Sequence, residues 1–140
     1  MQFKKNIQIN VLTAVSFVAV LAVPACNGMS KPELRSATEV YVGGGRACAG
    51  KFILNANTIS WVTPFSQCES QPYNSVALAT VDEKNRLFSL RKPSAKCLYS
   101  FINLKVDSET GQIQVTGFKK IEDFEQKKFD DALICPVVRQ

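Results

Sequence analysis

The chain has 140 residues, 46% of them hydrophobic and 21% charged, with seventeen Lys and Arg against twelve Asp and Glu and a net charge of +5. It contains no histidine, which excludes Ser-His-Asp and Cys-His nucleophile arrangements, histidine general bases and most zinc sites. The length suits one domain around one modest core.

Lys4 and Lys5 precede an uncharged apolar run over residues 11–23, and Val23, Pro24 and Ala25 lead into Cys26. Basic, apolar and small segments in that order are the layout of an export signal. As a helix the run would measure roughly 20 Å, short of the ~30 Å of a membrane span. A signal peptide over residues 1–25, to be removed, is therefore expected in place of an anchor helix.

Val23, Pro24, Ala25 and Cys26 resemble the lipobox of bacterial lipoproteins. The resemblance implies cleavage before Cys26, acylation of that thiol with palmitate or a similar chain, and attachment to the membrane through an N-terminal lipid. An ordinary signal peptidase would cut the same bond and leave Cys26 unmodified. Asn27 stands where lipoproteins retained at the inner membrane usually carry aspartate. It implies the outer membrane of a bacterial cell envelope, facing the periplasm or the cell surface.

Loss of the leader removes Lys4 and Lys5, so the remaining 115 residues carry a net charge of only +3. Five cysteines are present, and assigning Cys26 to lipid leaves Cys48, Cys68, Cys97 and Cys135, an even set for two disulfides in an oxidising compartment. Four cysteines allow three pairings. Cys48 with Cys68 and Cys97 with Cys135 is the expected one, because each pair brackets a locally foldable unit.

Along the mature chain, residues 26–38 read as a lipidated cysteine and a polar tether, and residues 39–140 as a single β-rich domain. A short strand over 39–42 precedes a glycine turn. Gly45, Gly50 and Lys51 have the spacing of a phosphate-binding loop, but Phe52 replaces the hydroxyl residue and a hairpin, not a helix, follows. Phe52 and Leu54 share one strand face, residues 55–57 supply a turn, and Ile59 and Trp61 alternate on the return. Residues 64–75, with two prolines and small polar groups, read as a loop pinned by Cys68. A strand over 74–82, a turn at 83–85 and a return from Arg86 follow.

Residues 96–106 form the longest strand candidate. Asp107, Glu109 and Gly111 resemble the opening of a calcium loop, yet Phe118 occupies the position of the bidentate carboxylate, so a hairpin turn onto residues 112–118 is expected. An amphipathic helix over 121–131 precedes a last strand, which Pro136 restricts to an edge or a strand end. The expected fold is mainly β: a small antiparallel meander forming a barrel or sandwich, with one short C-terminal helix and two disulfides.

No catalytic residues, metal site or cofactor emerge. The acids Glu69, Asp82, Glu83, Asp107 and Glu109 lie where turns place solvated carboxylates. Charge is segregated instead: residues 84–106 hold six bases and no acid, whereas residues 107–131 hold seven acids and four bases. Arg91, Lys92 and Lys96 fall in one turn, where they could meet a phosphate-bearing glycolipid or an acidic protein or simply keep a sheet edge soluble. Trp61, Phe65 and Tyr73 are aromatic candidates for contact, Trp61 doubling as a core anchor.

The functional expectation is an exported, membrane-tethered lipoprotein with a non-catalytic binding or envelope-maintenance role, not an enzyme. Expected partners are an envelope protein, a glycolipid or a hydrolase, and not nucleic acid. One alternative is an inhibitor of a lysozyme or protease that presents the rigid loop at 64–73. A second is a carboxylate-dependent cell-wall hydrolase.

Overall fold

Apolar residues two apart on successive short segments need a wall with one dry face, and eight such segments close that wall on itself. The computed structural model describes residues 37–140; the expected signal peptide, Cys26 and most of the expected tether lie outside the described residues. In chain order the elements are β1 (Glu39–Gly43), α1 (Gly45–Cys48), β2 (Gly50–Leu54), β3 (Thr58–Val62), β4 (Gln67–Val76), β5 (Asn85–Leu90), β6 (Phe101–Val106), β7 (Ile113–Phe118), α2 (Ile121–Glu125) and β8 (Leu133–Arg139). Each strand pairs antiparallel with the next, and β8 returns to β1, giving a closed up-and-down barrel. The sequence left barrel and sandwich open; closure is the finding.

Directly opposed residues share a face, so the register divides the wall into inside and outside. Tyr41, Phe52, Trp61 and Cys68 stand on one inward row, and Phe88 and Ile102 on another. Phe52, Ile59, Trp61, Ile102, Leu104 and Val115 are all fully enclosed, so the interior is filled by side chains, as an eight-stranded barrel of this bore allows. Trp61 is 2% exposed and is a core anchor.

One end of the barrel carries the β1–β2, β3–β4, β5–β6 and β7–β8 connections together with both disulfides, and is called here the stapled end. At the opposite, entry end the described chain enters β1 and leaves β8.

The disulfides join Cys48 to Cys135 and Cys68 to Cys97, not Cys48 to Cys68 and Cys97 to Cys135. Barrel closure is the reason. It sets β8 beside β1, so the helical turn after β1 lies on Cys135, 87 residues away, while Cys68 on β4 meets the β5–β6 connection. The enclosed loops of 87 and 29 residues correspond to roughly 4.5 and 3.5 kcal/mol of chain-entropy stabilisation.

Four element boundaries also differ from expectation. β4 begins at Gln67, inside the segment read as loop, and not at residue 74: Cys68, Gln71 and Tyr73 turn inward, and a bulge with Ser70 at φ 47° shifts the alternation that would have identified a strand. β4 then stops at Val76, so residues 77–82 are loop instead of strand. The expected strand over 96–106 begins only at Phe101. Cys97 is drawn to β4, and Tyr99 leaves the wall to plug the barrel end beside Trp61, ring centroids 5.7 Å apart. α2 ends at Glu125 instead of residue 131, because Lys127 adopts φ 53° and its neighbour Lys128 donates its N–H back to the Asp123 carbonyl.

The glycine turn after β1 is itself one helical turn, α1. Pro136 lies within β8 and not at an edge, since the closed barrel has none. It opposes Gln114 on β7, whereas pairing with β1 starts only at Val137, so its missing N–H falls where β8 has a neighbour on one side.

Candidate functional site

The β3–β4 and β5–β6 connections are bound into one unit at the stapled end. Thr63 builds a tight turn: its Oγ1 accepts from the N–H groups of Phe65 and Ser66 at 3.3 and 3.1 Å, and its own N–H donates to the Ser66 carbonyl at 2.9 Å. The turn presents Phe65, which is 61% exposed. Across from it, the Leu98 N–H donates to Ser66 Oγ at 3.0 Å and the Gln67 N–H to the Lys96 carbonyl at 2.9 Å, directly above the Cys68–Cys97 bond. Leu98 is 51% exposed. Two large apolar side chains therefore project from loops that cannot separate.

Arg91, Lys92 and Lys96 are exposed on the same β5–β6 connection. Its entrance is held by the Arg91 N–H on the Pro72 carbonyl at 2.9 Å, and its middle by the Ser94 N–H on Gln71 Oε1 at 3.2 Å. Among the described residues, none of the three bases pairs with a carboxylate. Arg46 and Lys51 add positive charge on the β1–β2 side, while Asp82, Glu83, Asp107 and Glu109 sit on the entry-end turns. The charge separation seen along the sequence does not become one along the barrel axis, because Glu122, Asp123, Glu125, Asp130 and Asp131 lie on the β7–β8 connection and Lys84 and Lys105 lie toward the entry end; the basic cluster is local to the β5–β6 connection.

The entry end holds a different constellation. Glu39 and Arg86 face inward from β1 and β5 and form a two-pronged ion pair at 2.8 and 2.9 Å, with the Tyr41 hydroxyl donating to Glu39 Oε2. The Arg86 hydrogen bonds pull the Glu39 carboxyl down to about 2, against the opposing effect of burial and with further help from Tyr41. Burial raises Tyr41, and its bond to Glu39 raises it further. A carboxylate held ionised in this way cannot deliver or take a proton near neutrality. It locks two non-neighbouring strands across the mouth.

Of the residues singled out from sequence, Phe65, Arg91, Lys92 and Lys96 are brought together. Trp61 is enclosed in the core, and Tyr73 lies toward the entry end, where its hydroxyl donates to the carbonyls of Asn55 and Ala56 at 3.0 and 3.1 Å. Neither belongs to the stapled surface. Cys26 lies outside the described residues. Leu98 was missed, because in a strand reading it belonged to a buried row. Among the described residues, no group of three or more cysteine, aspartate or glutamate side chains is arranged to hold a metal ion, and no helix is long and apolar enough to cross a membrane. Set against protein-family models, curated proteins and solved structures, the chain matches none of them.

Proposed function

We propose that the protein is an exported lipoprotein, tethered to the cell envelope through Cys26, whose barrel works as a non-catalytic binding module through its stapled end. The observation that carries this is the presence of Phe65 and Leu98, exposed by 61% and 51%, on loops joined by the Cys68–Cys97 bond and flanked by three bases that meet no carboxylate among the described residues. Exposed apolar groups on a rigid frame lose little conformational freedom on binding, and the surrounding cations favour an acidic counterpart. The interior supports a scaffold role, since it is packed with side chains and the inward-facing Glu39 carboxylate is neutralised by Arg86.

Two measurements test it. Labelled palmitate should enter the wild-type protein and not Cys26→Ser; equal labelling of both would remove the tether. Combined Arg91→Glu, Lys92→Glu and Lys96→Glu substitutions should abolish cross-linked products in intact cells while leaving the barrel folded. Unchanged products would remove the stapled end as the contact.

A second reading is favoured by the Thr63 turn, which holds one aromatic side chain, Phe65, forward on a fixed backbone as a hydrolase inhibitor would. Inhibition of a lysozyme or protease that is lost in Phe65→Ala would establish it, and no inhibition across a panel of both would remove it.

A further inference from the structure

The outer face of a small barrel is normally wet, yet Leu87, Asn103, Thr116 and Phe118 point outward from β5, β6 and β7 and are buried. The connection over residues 119–132 accounts for much of this by folding back along the flank. Phe124 meets Phe118 edge-on with centroids 5.6 Å apart, and Phe129 packs on it at 5.9 Å. The cover does not press flat. It leaves a groove of about 290 Å³, reaching from Phe124 and Phe129 past Asn103, Gln114 and Thr116 to Thr80.

The floor of this groove is polar and fixed. The Asn103 amide NH2 donates to Asn85 Oδ1 at 2.8 Å and to the Arg86 carbonyl at 3.0 Å, which sets the orientation of the amide. Asn103 is only 6% exposed, no buried side-chain oxygen or nitrogen among the described residues lacks a partner, and no described donor meets its Oδ1. That acceptor therefore opens into the groove. Thr116 Oγ1 accepts from Gln114 Nε2 at 3.3 Å, which leaves the threonine O–H to donate and the Gln114 Oε1 to accept. Above them stand the phenyl groups of Phe124 and Phe129, with Lys105, Lys127 and Glu125 also lining the cavity.

We propose that this groove is a saccharide-binding site. A sugar ring offers what the groove complements: hydroxyls that donate and accept at fixed spacing on its edge, and apolar C–H faces that lie against aromatic rings. An acetamido substituent would add an N–H for the Asn103 Oδ1. The volume lies at the low end of the ~300–1,000 Å³ typical of small-molecule sites and suits one ring or a disaccharide. The site lies on the flank of the barrel, under the β7–β8 connection.

The test is an NMR titration of the oxidised protein with N,N′-diacetylchitobiose and, separately, maltose, each to about 20 mM, beyond the roughly 1 mM affinity of a shallow site. Saturable shifts confined to Asn103, Gln114, Thr116 and the 119–132 connection are expected for at least one sugar; saturation by chitobiose alone would assign the acetamido contact. Phe129, 47% exposed, can be shortened without opening the core. Phe129→Ala and Gln114→Ala should each weaken binding at least fivefold while keeping the wild-type amide spectrum elsewhere. No saturable shift with either sugar, shifts centred elsewhere, or undiminished binding in both variants would overturn the proposal.

Discussion

Glu39 on β1 and Arg86 on β5 meet across the mouth of the barrel, two contacts of 2.8 and 2.9 Å joining strands that share no ladder. The ordinary value of the Glu39 carboxyl, 4.5, falls to about 2 in the folded chain. The unfolded chain therefore takes up this proton first as the solution is acidified. The stabilisation is fully present above pH 4.5 and fades as pH falls toward 2, amounting to about 1–2 kcal/mol once solvent screening at the partly exposed mouth is allowed for. Urea unfolding of wild type and Glu39→Gln should show a stability gap at pH 7 that narrows between pH 4.5 and the acid limit. A gap independent of pH would show that the pair is not the lock.

Gly117 on β7 lies under the Tyr99 plug. A Cβ there would stand 2.6 Å from Tyr99 Cγ and 2.8 Å from the Trp61 ring. Gly117→Ala should therefore cost about 1–3 kcal/mol, the usual range for overpacking a filled core, and lower Tm by several degrees. A thermal scan checks it. Unchanged Tm would mean that Tyr99 does not seat on this glycine.

The two disulfides should separate in non-reducing peptide maps as Cys48–Cys135 and Cys68–Cys97 fragments. Replacing Cys48 and Cys135 with serine should cost roughly 4.5 kcal/mol and replacing the other pair roughly 3.5 kcal/mol, following the lengths of the loops they close. Denaturant midpoints of the two double variants supply the comparison. The second variant should also lose amide protection at Phe65 and Leu98, since only that bond holds their loops together covalently.

Much of the barrel was legible because its signals are local. Phe52 and Leu54 against Ile59 and Trp61, with Asn55 and Asn57 between, specify a hairpin within a dozen residues, and Asp107 with Gly111 specifies another. The Asp107 carboxylate accepts from the N–H groups of Glu109 and Thr110, and Gly111 takes φ 69°. What was illegible depends on contacts between distant segments. The cysteine pairing follows from closure of β8 on β1, which no local pattern encodes. Tyr99 alternates like a strand residue but plugs the end, so a strand was read five residues too long.

The same holds for the two surfaces. Arg91, Lys92, Lys96 and Phe65 stood out as charge and aromatic character in turns, and the fold gathers them. Asn103, Gln114 and Thr116 gave no signal, because polar residues alternating along a strand read as the solvent face. Only the cover supplied by Phe124 and Phe129 makes them a groove floor, and Phe124 itself read as part of one face of a longer helix.

The most direct measurement is site-specific photo-cross-linking in intact cells, with the photoreactive side chain placed at Phe65 or Leu98 in one set and at Glu83 or Glu109, on the opposite end of the barrel, in another. If the stapled end is the contact surface of an anchored binding module, one discrete adduct should form from the first pair and none from the second. Adducts from the entry end alone, or equally from both ends, would contradict it.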